Sequence, residues 1–213
     1  MSLVGKQFPN ITVKATQEGV YKLDINLSLP DKPTLLFWYP KDFTYICPTE
    51  IHAFQDNLKD FNDRGYQVIG ASCDTCEVHE AWLDIPKEQG GIQGITFPLL
   101  ADSRRTLANR LGILDYETEY FWNESKDDDD EKLIRDGDNV TYRATYLIDE
   151  TGRIFHESVN DMPLGRNVHD YLRIIDAKAH QDKIGDSCPA NWEKGHMTMK
   201  ATRDGVADYL KNN

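Results

Sequence analysis

One cysteine lies where a buried strand is expected to give way to a helix. The apolar run at 33–39 predicts the strand, and apolar residues recur at helical spacing from 51 to 61. Pro48 follows Cys47 and suits the first turn of a helix, where its missing N–H costs nothing. A helix start favours an anion, so Cys47 could be held as a thiolate, the nucleophilic form of cysteine. The alternative is a buried, unreactive thiol, as most free cysteines are.

The residues around this cysteine match a known family. Pro40, Thr44 and Cys47 fit the pattern Pro-x-x-x-Thr-x-x-Cys, and the chain resembles the peroxiredoxins, in particular the typical two-cysteine members of the alkyl hydroperoxide reductase C type. The resemblance implies a thiol-dependent peroxidase that reduces hydrogen peroxide and organic hydroperoxides in antioxidant defence, with Cys47 as the peroxidatic nucleophile. It further implies that the Thr44 hydroxyl contacts the peroxide and that Pro40 covers the site. Without the resemblance, Pro40 would be an ordinary turn proline.

The C-terminal tail carries a second matching motif. Cys188 opens the sequence Cys-Pro-Ala-Asn-Trp, which resembles the resolving-cysteine motif Cys-Pro-Ala-x-Trp of the same family. The resemblance implies that Cys188 of a neighbouring subunit forms a disulfide with Cys47, in a homodimer that assembles into a ring, commonly a decamer. It also implies a thioredoxin-like protein or a dedicated disulfide reductase as the reductant. The separation of the two cysteines along the chain leaves open whether the bond lies within or between chains.

Three charged residues match further positions of the family. The resemblance assigns Arg143, just ahead of a predicted strand, to stabilising the thiolate and the charge that develops on oxygen. The alternative is that Arg143 is an ordinary arginine at the edge of a strand. Glu50 and Arg166 match supporting positions, and a carboxylate there could hold Arg143 in place by a bidentate pair.

Two further cysteines admit three interpretations. Cys73 and Cys76 are spaced as Cys-x-x-Cys, and His79 follows three residues later. They could form a redox dithiol, part of a zinc site with His52 or His156 as a further ligand, or two ordinary thiols at the end of a strand. The family resemblance favours ordinary thiols, and we expect neither a metal site nor a cofactor. A disulfide oxidoreductase that uses Cys73 and Cys76 is the alternative to the peroxidase, and a chaperone-like ring is a third hypothesis.

Strands and helices alternate along the chain, which is the order of an α/β protein. The resemblance implies a thioredoxin-like fold, with a central mixed sheet flanked by helices and a C-terminal extension. We expect a peroxidase domain over 1–180 and a tail over 181–213 that carries the resolving cysteine. Periodicity predicts strands near 11–15, 21–25, 34–39, 66–72 and 97–100, helices over 48–63, 76–88, 104–111 and 168–178, and a hairpin over 142–159.

Composition restricts the partners and the compartment. The 213 residues suit one domain with a full core, and the net charge of −12 disfavours nucleic acids and anionic membranes. The sequence has no apolar run long enough to span a bilayer and no secretory-signal pattern at its start, and its four cysteines are too few for a disulfide scaffold. A cytoplasmic protein is therefore expected. Eleven acidic against three basic residues between Asp115 and Asp138 predict a solvated surface insertion over 115–138.

Overall fold

The computed structural model describes residues 2–17, 20–115, 119–121, 133–135 and 139–212. Within these ranges the strands are β1 (Thr12–Gln17), β2 (Val20–Asn26), β3 (Thr34–Trp38), β4 (Gln67–Ser72), β5 (Leu99–Ala101), β6 (Glu119–Phe121), β7 (Leu133–Arg135), β8 (Arg143–Ile148) and β9 (Ile154–Asn160). The helices are α1 (Cys47–Asp56), α2 (Leu58–Asp63), α3 (Cys76–Leu83), α4 (Thr106–Leu111), α5 (Val168–Ile184) and α6 (Arg203–Asn212).

A seven-stranded mixed sheet in the order β2-β1-β5-β4-β3-β8-β9 forms the centre of the fold. Strand β4 pairs in parallel with β3 and with β5, whereas β1, β8 and β9 join the sheet in antiparallel pairings. The predicted mixed sheet flanked by helices is thus confirmed. The predicted hairpin is also present, since β8 and β9 pair in antiparallel register.

Strand β3 is the spine of the core, because all five of its residues are buried. Alternate side chains of a strand point to opposite faces, so β3 serves two clusters of buried side chains. Leu35 and Phe37 belong to the cluster that includes the buried side chains of α1, α3 and α5, whereas Leu36 and Trp38 belong to the cluster that includes α4. Phe37 stacks on Phe54 of α1 with ring centroids 4.1 Å apart, which fixes α1 against the sheet.

The pairing of β3, β8 and β9 explains which residues meet at the start of α1. Because β8 runs antiparallel to β3, its first residue, Arg143, lies beside the end of β3, where the loop to Cys47 begins. Strand β9 runs antiparallel to β8 in turn, with Asn160 paired to Arg143. The segment from β9 to α5, which contains Met162 and Arg166, therefore starts at the same place.

The helix predicted over 48–63 differs from the observed structure. It is divided into α1 and α2 at Asn57, whose side-chain Nδ2 donates to the carbonyl of Ala53 at 2.8 Å. This side-chain bond competes with the backbone pattern of a continuous helix. Cys47, at the first position of a ten-residue helix, is thus held by a shorter element than expected.

Two further boundaries were predicted wrongly, and one helix was not predicted. The helix expected over 76–88 ends at Leu83, shortly before Pro86, which restricts the residue ahead of it. The strand expected at 97–100 begins only at Leu99, and the tail contains α6, for which no helix was predicted. Helix α5 runs to Ile184, and the domain boundary near 180 stays a prediction.

Most of the acidic insertion predicted over 115–138 lies outside the described residues. Strands β6 and β7 fall within it and pair antiparallel as a separate two-stranded sheet. Among the helices that the structure describes, none combines the length and the apolar character needed to cross a bilayer.

Candidate active site

Cys47 is the first residue of α1 and is completely buried. The predicted helix start is confirmed, with Pro48 in the first turn and Glu50 one turn after the cysteine. The carbonyl of Ile46 accepts the backbone N–H groups of Thr49 and Glu50, which closes this first turn. The helix begins without a side-chain cap, so its N-terminal dipole is directed at the loop that carries Cys47.

Arg143 lies directly against the sulfur of Cys47. Its Nη1 donates to Cys47 Sγ at 3.4 Å and to Glu50 Oε2 at 2.7 Å, and its Nε donates to the carbonyl of Met162 at 2.6 Å. These three acceptors fix the plane of the guanidinium, which is almost fully buried. The fixed cation therefore stabilises an anion at Sγ without having to reorganise.

Glu50 lies between two arginines, and its bidentate partner is Arg166. Glu50 Oε1 accepts from Arg166 Nε at 2.8 Å, and Oε2 accepts from Arg166 Nη2 at 2.8 Å. Arg143 contacts Glu50 through a single nitrogen, so the bidentate pair expected with Arg143 is formed by Arg166 instead. Arg166 also donates to the carbonyl of Ala144 and lies over the ring of Phe37 at 5.2 Å, which leaves its guanidinium well supported.

The charged side chains of this cluster do not cancel one another. Burial raises the pKa of the Glu50 carboxyl, but the hydrogen bonds and charge of Arg166 and the charge of Arg143 lower it by more, so the net shift is downward. Two guanidinium cations and one carboxylate leave one positive charge in a buried site. An unbalanced buried charge is costly, so an anionic group beside Arg143 would be stabilised here.

Pro40 and Thr44 belong to the loop between β3 and α1 that ends at Cys47. Pro40 is buried, and Thr44 is half-buried. The Thr44 hydroxyl donates to the carbonyl of Lys41 at 2.8 Å, which commits its proton and leaves its oxygen lone pairs as acceptors. The structure therefore joins Cys47, Glu50, Arg143 and Arg166 by direct contacts, whereas Pro40 and Thr44 are related to them only through the loop that leads to Cys47.

Cys188 lies in the tail and is packed on α5 of its own chain. Its Sγ contacts the carbonyl of Ala177 at 3.5 Å, and burial raises the pKa of its thiol. Trp192 is almost fully buried and anchors this segment, with Nε1 donating to the carbonyl of His196 at 3.1 Å and its own carbonyl accepting from Arg173. All four cysteines are free thiols in this structure, Cys47 and Cys188 included.

The surroundings of Cys73 and His79 favour the interpretation of Cys73 and Cys76 as ordinary thiols over a redox dithiol or a zinc site. Burial, together with the charge of Asp102, raises the pKa of Cys73 to about 12, which makes it a poor nucleophile at neutral pH. His79 directs one ring nitrogen at Asp42 and the other at the carbonyl of Leu100. Among the residues that the structure describes, no group of three or more His, Cys, Asp or Glu side chains is arranged to hold a metal ion.

Sequence reasoning missed the partners of His79. His79 Nδ1 lies 2.7 Å from Asp42 Oδ2, and the Tyr39 hydroxyl donates to Asp42 Oδ1 at 2.8 Å, in a fully buried cluster. The signal in the sequence was the position of His79 on the same helical face as Cys76 and Trp82, both of which are buried. A histidine on an apolar helix face needs buried hydrogen-bonding partners. Asp42, a carboxylate close to Thr44 to which sequence reasoning gave no role, was a candidate partner.

Comparison with known proteins gives consistent matches over nearly the whole chain. A family model described as the AhpC/TSA family matches residues 4–157, and the C-terminal domain of 1-Cys peroxiredoxin matches residues 179–212. The chain is 40% identical to alkyl hydroperoxide reductase C of Helicobacter pylori over 190 residues, 89% of this chain and 85% of that protein. It is 35% identical to a thioredoxin peroxidase of Echinococcus granulosus over 212 residues, 99% of each. The crystal structure of reduced 2-Cys peroxiredoxin from Plasmodium vivax matches with a TM-score of 0.86 at 36% identity, covering 99% of this chain and 100% of that one.

Replacing Glu50 by glutamine should destabilise the protein in a pH-dependent way. At neutral pH we expect Glu50→Gln to lower the free energy of unfolding by about 3 kcal/mol, because two buried guanidiniums lose the anion that they share. The folded-state pKa of Glu50 lies below its unfolded value of about 4.3, so its stabilisation is present above that pH and is lost as the pH falls through the folded value. Urea unfolding of both proteins between pH 7 and pH 3 measures the difference.

The matched control is Glu88→Gln, the same chemical change at an exposed position. It should change the free energy of unfolding by less than about 0.5 kcal/mol at every pH. A stability difference between wild type and Glu50→Gln that stays constant down to pH 3 would contradict the proposed electrostatic role.

Proposed function

The chain belongs to the AhpC/TSA family of peroxiredoxins and is a thiol-dependent peroxidase, and we propose that Cys47 is its peroxidatic nucleophile. The observation that carries this proposal is the 3.4 Å contact between Arg143 Nη1 and Cys47 Sγ, within a buried cluster that a thiolate would neutralise. The helix start adds the partial charge of its N–H groups. Burial raises the pKa of both Cys73 and Cys188, which disfavours these two thiols as the nucleophile.

In the proposed reaction the Cys47 thiolate attacks the terminal oxygen of the hydroperoxide ROOH. The S–O bond forms as the O–O bond breaks, so the sulfur becomes sulfenic acid, Cys47–SOH, and the other oxygen leaves as RO⁻. A proton from water then converts RO⁻ to the alcohol, or to water when the substrate is hydrogen peroxide. The cysteine sulfur is oxidised by two electrons, and the peroxide is reduced by the same two electrons.

Arg143 and Thr44 are assigned to the two oxygens of the peroxide. Arg143 already uses Nε and Nη1 for protein acceptors, and we assign its Nη2 to the leaving oxygen, where negative charge develops. The Thr44 hydroxyl donates to Lys41, so its oxygen is assigned to accept the O–H of the attacked oxygen. Glu50 holds Arg143 in place and Arg166 holds Glu50, while buried Pro40 excludes water from the sulfur.

We propose that Cys188 is the resolving cysteine, the thiol that reacts with the sulfenic acid of Cys47. We also propose that it belongs to a tail over 181–213 that follows a peroxidase domain over 1–180. The Cys188 thiol attacks the sulfur of Cys47–SOH, a disulfide forms and water leaves. Cys47 is completely buried and Cys188 is packed on α5, so both segments have to move before their sulfurs can meet. We propose that the partner cysteine belongs to a second subunit of a homodimer, as the family resemblance implies.

A dithiol protein is proposed as the reductant that regenerates the two thiols. The support is the name of the relative from Echinococcus granulosus, a thioredoxin peroxidase that matches 99% of this chain. A dedicated disulfide reductase is the alternative reductant. We further propose assembly of the dimers into a decameric ring and a cytoplasmic location, in keeping with the four free thiols of the chain.

Exchange of single cysteines tests the assignment of the nucleophile. Cys47→Ser should reduce the consumption of hydrogen peroxide in the presence of dithiothreitol to the background rate, because serine at this position cannot form a sulfenic acid. Cys73→Ser is the matched control and should keep the wild-type rate within about three-fold, since removing an unreactive thiol does not touch the reacting atoms. Peroxide consumption that survives in Cys47→Ser, or is lost in Cys73→Ser, would refute the assignment.

Mixing the Cys47→Ser and Cys188→Ser variants tests the position of the disulfide. Wild type treated with one equivalent of hydrogen peroxide should migrate as a covalent dimer on a non-reducing gel, and neither Cys47→Ser nor Cys188→Ser should do so alone. After subunit exchange, a mixture of the two variants should again give a covalent dimer, because one intact pair of cysteines remains across each mixed interface. Loss of free thiols without a covalent dimer in wild type would place the disulfide within one chain.

A further inference from the structure

The loop that carries Thr44 is tied to the core by a carboxylate that the peroxidase chemistry leaves unexplained. Asp42 lies two residues before Thr44, yet its side chain points inward and is almost fully buried. His79 on α3 contacts it at 2.7 Å and is itself completely buried. Burying an ion pair costs desolvation free energy, so such a pair adds little to stability compared with two hydrophobic residues. Its presence therefore suggests a role in fixing the conformation of the loop.

Contacts reach Asp42 from three directions. His79 meets its Oδ2, the Tyr39 hydroxyl donates to its Oδ1 at 2.8 Å, and its backbone N–H donates to Asp74 Oδ2 at 2.9 Å. Asp74 is held in turn by the hydroxyl of Ser72 at 2.7 Å. The side chain of Asp42 is thus fixed to α3 and to Tyr39, which follows β3, and its main chain is fixed to Asp74, which lies just after β4.

Phe43, between Asp42 and Thr44, has a left-handed backbone with φ of +56°. This conformation costs a residue with a side chain about 1–2 kcal/mol, so it persists only where the surroundings impose it. The ring of Phe43 is half-exposed and lies 5.7 Å from the ring of Trp82, and the Thr44 hydroxyl donates to the carbonyl of Lys41 across the turn, so the fixed Asp42 is one of the restraints on this turn. The turn decides where the next residue, Thr44, presents its hydroxyl.

The hydrogen bonds of His79 indicate an imidazolium. Nδ1 faces a carboxylate and Nε2 lies 3.1 Å from the carbonyl of Leu100, and only the charged ring donates from both nitrogens. Burial lowers the pKa of His79, but the hydrogen bond and charge of Asp42 raise it by more, with smaller contributions from Leu100 and Asp74. Tyr39, whose pKa burial and Asp42 both raise, stays neutral beside the pair.

We propose that His79 and Asp42 are positioning residues for peroxide reduction, and that their buried pair sets the turn at Phe43 and thereby the place of the Thr44 hydroxyl beside the reacting oxygen. The inference rests on the function proposed for Cys47, and it gives His79 no contact with the substrate. The competing explanation is a histidine that stabilises the core alone. If His79 is a positioning residue, its hydrogen bond to Asp42 affects the rate of the reaction and its bond to Leu100 does not. If His79 only stabilises the core, neither hydrogen bond has a specific effect on the rate.

Asparagine and glutamine at this position separate the two hydrogen bonds. The side-chain nitrogen of asparagine is attached to Cγ, as Nδ1 is, and can donate to Asp42 while losing Leu100. Glutamine carries its nitrogen one atom further out, as Nε2 is, and can donate to Leu100 while losing Asp42. Both variants lose the ring and its charge, so His79→Asn and His79→Gln are matched controls for each other.

The experiment measures the second-order rate constant for consumption of hydrogen peroxide by the reduced protein in wild type, Cys47→Ser, His79→Asn and His79→Gln. We expect His79→Gln to lower it by about ten-fold or more, because a displaced hydroxyl no longer meets the peroxide, and His79→Asn to retain it within about three-fold. Alkylation of Cys47 by iodoacetamide needs the thiolate but not Thr44, so its rate should stay within about two-fold of wild type in both variants. Urea unfolding reports the stability of each variant.

Equal losses of rate in the two variants, no loss in either, or a parallel loss of alkylation would overturn the proposal. If either His79 variant fails to fold, Asp42→Asn and Asp42→Ala decide it. The Asp42→Asn side chain can still pair with a neutral His79 and should keep the rate within about three-fold, whereas Asp42→Ala should lose about ten-fold or more. Equal rates in these two variants would overturn the proposal. Peroxide consumption by Cys47→Ser as fast as by wild type would instead refute the function proposed for Cys47.

Discussion

The carboxylate of Glu50, held between two buried guanidiniums, is the interaction on which the site depends. Arg166 donates two parallel hydrogen bonds to this carboxylate. Arg143 donates a third from Nη1, and the same nitrogen also donates to Cys47 Sγ. The three charges sum to one positive charge beside the sulfur. An anion at the sulfur would balance it, so the same contacts that hold Arg143 in place also suit the thiolate that we propose for Cys47.

The pairing of the strands brings the residues of this cluster together. The first turn of α1, which carries Cys47, is the part that would have to move for Cys47 to leave the cluster. Antiparallel pairing of β3, β8 and β9 brings Arg143 and the segment with Arg166 to the end of β3. Helix α1 begins without a side-chain cap and ends after ten residues at Asn57. Its first turn is held by hydrogen bonds to the carbonyl of Ile46 and by the contacts of Cys47 and Glu50 with Arg143, all of which would have to break for the turn to unfold. Local unfolding of that turn is the movement that a disulfide between Cys47 and Cys188 requires.

The sequence predicted the elements better than the contacts between them. Periodicity located β3 and the start of α1 because both depend on neighbouring residues, and the mixed sheet followed from the family resemblance. Arg143 and Cys47 are 96 positions apart, and no pattern along the chain measures such a contact. For the same reason the bidentate partner of Glu50 was taken to be Arg143 instead of Arg166, and His79 was weighed only as a metal ligand. Long-range polar contacts depend on tertiary packing, which periodicity does not report.

The central claim is that Glu50 serves peroxide reduction by holding Arg143 against Cys47. A double-mutant cycle tests it directly, with the rate constant for oxidation of Cys47 by hydrogen peroxide measured in Glu50→Gln, Arg143→Gln and the double variant under conditions where all are folded. The account predicts that Glu50→Gln slows the reaction in the presence of Arg143 and has little further effect once Arg143 is replaced, because the two residues act as a unit. Effects that multiply, as those of independent residues do, would contradict it.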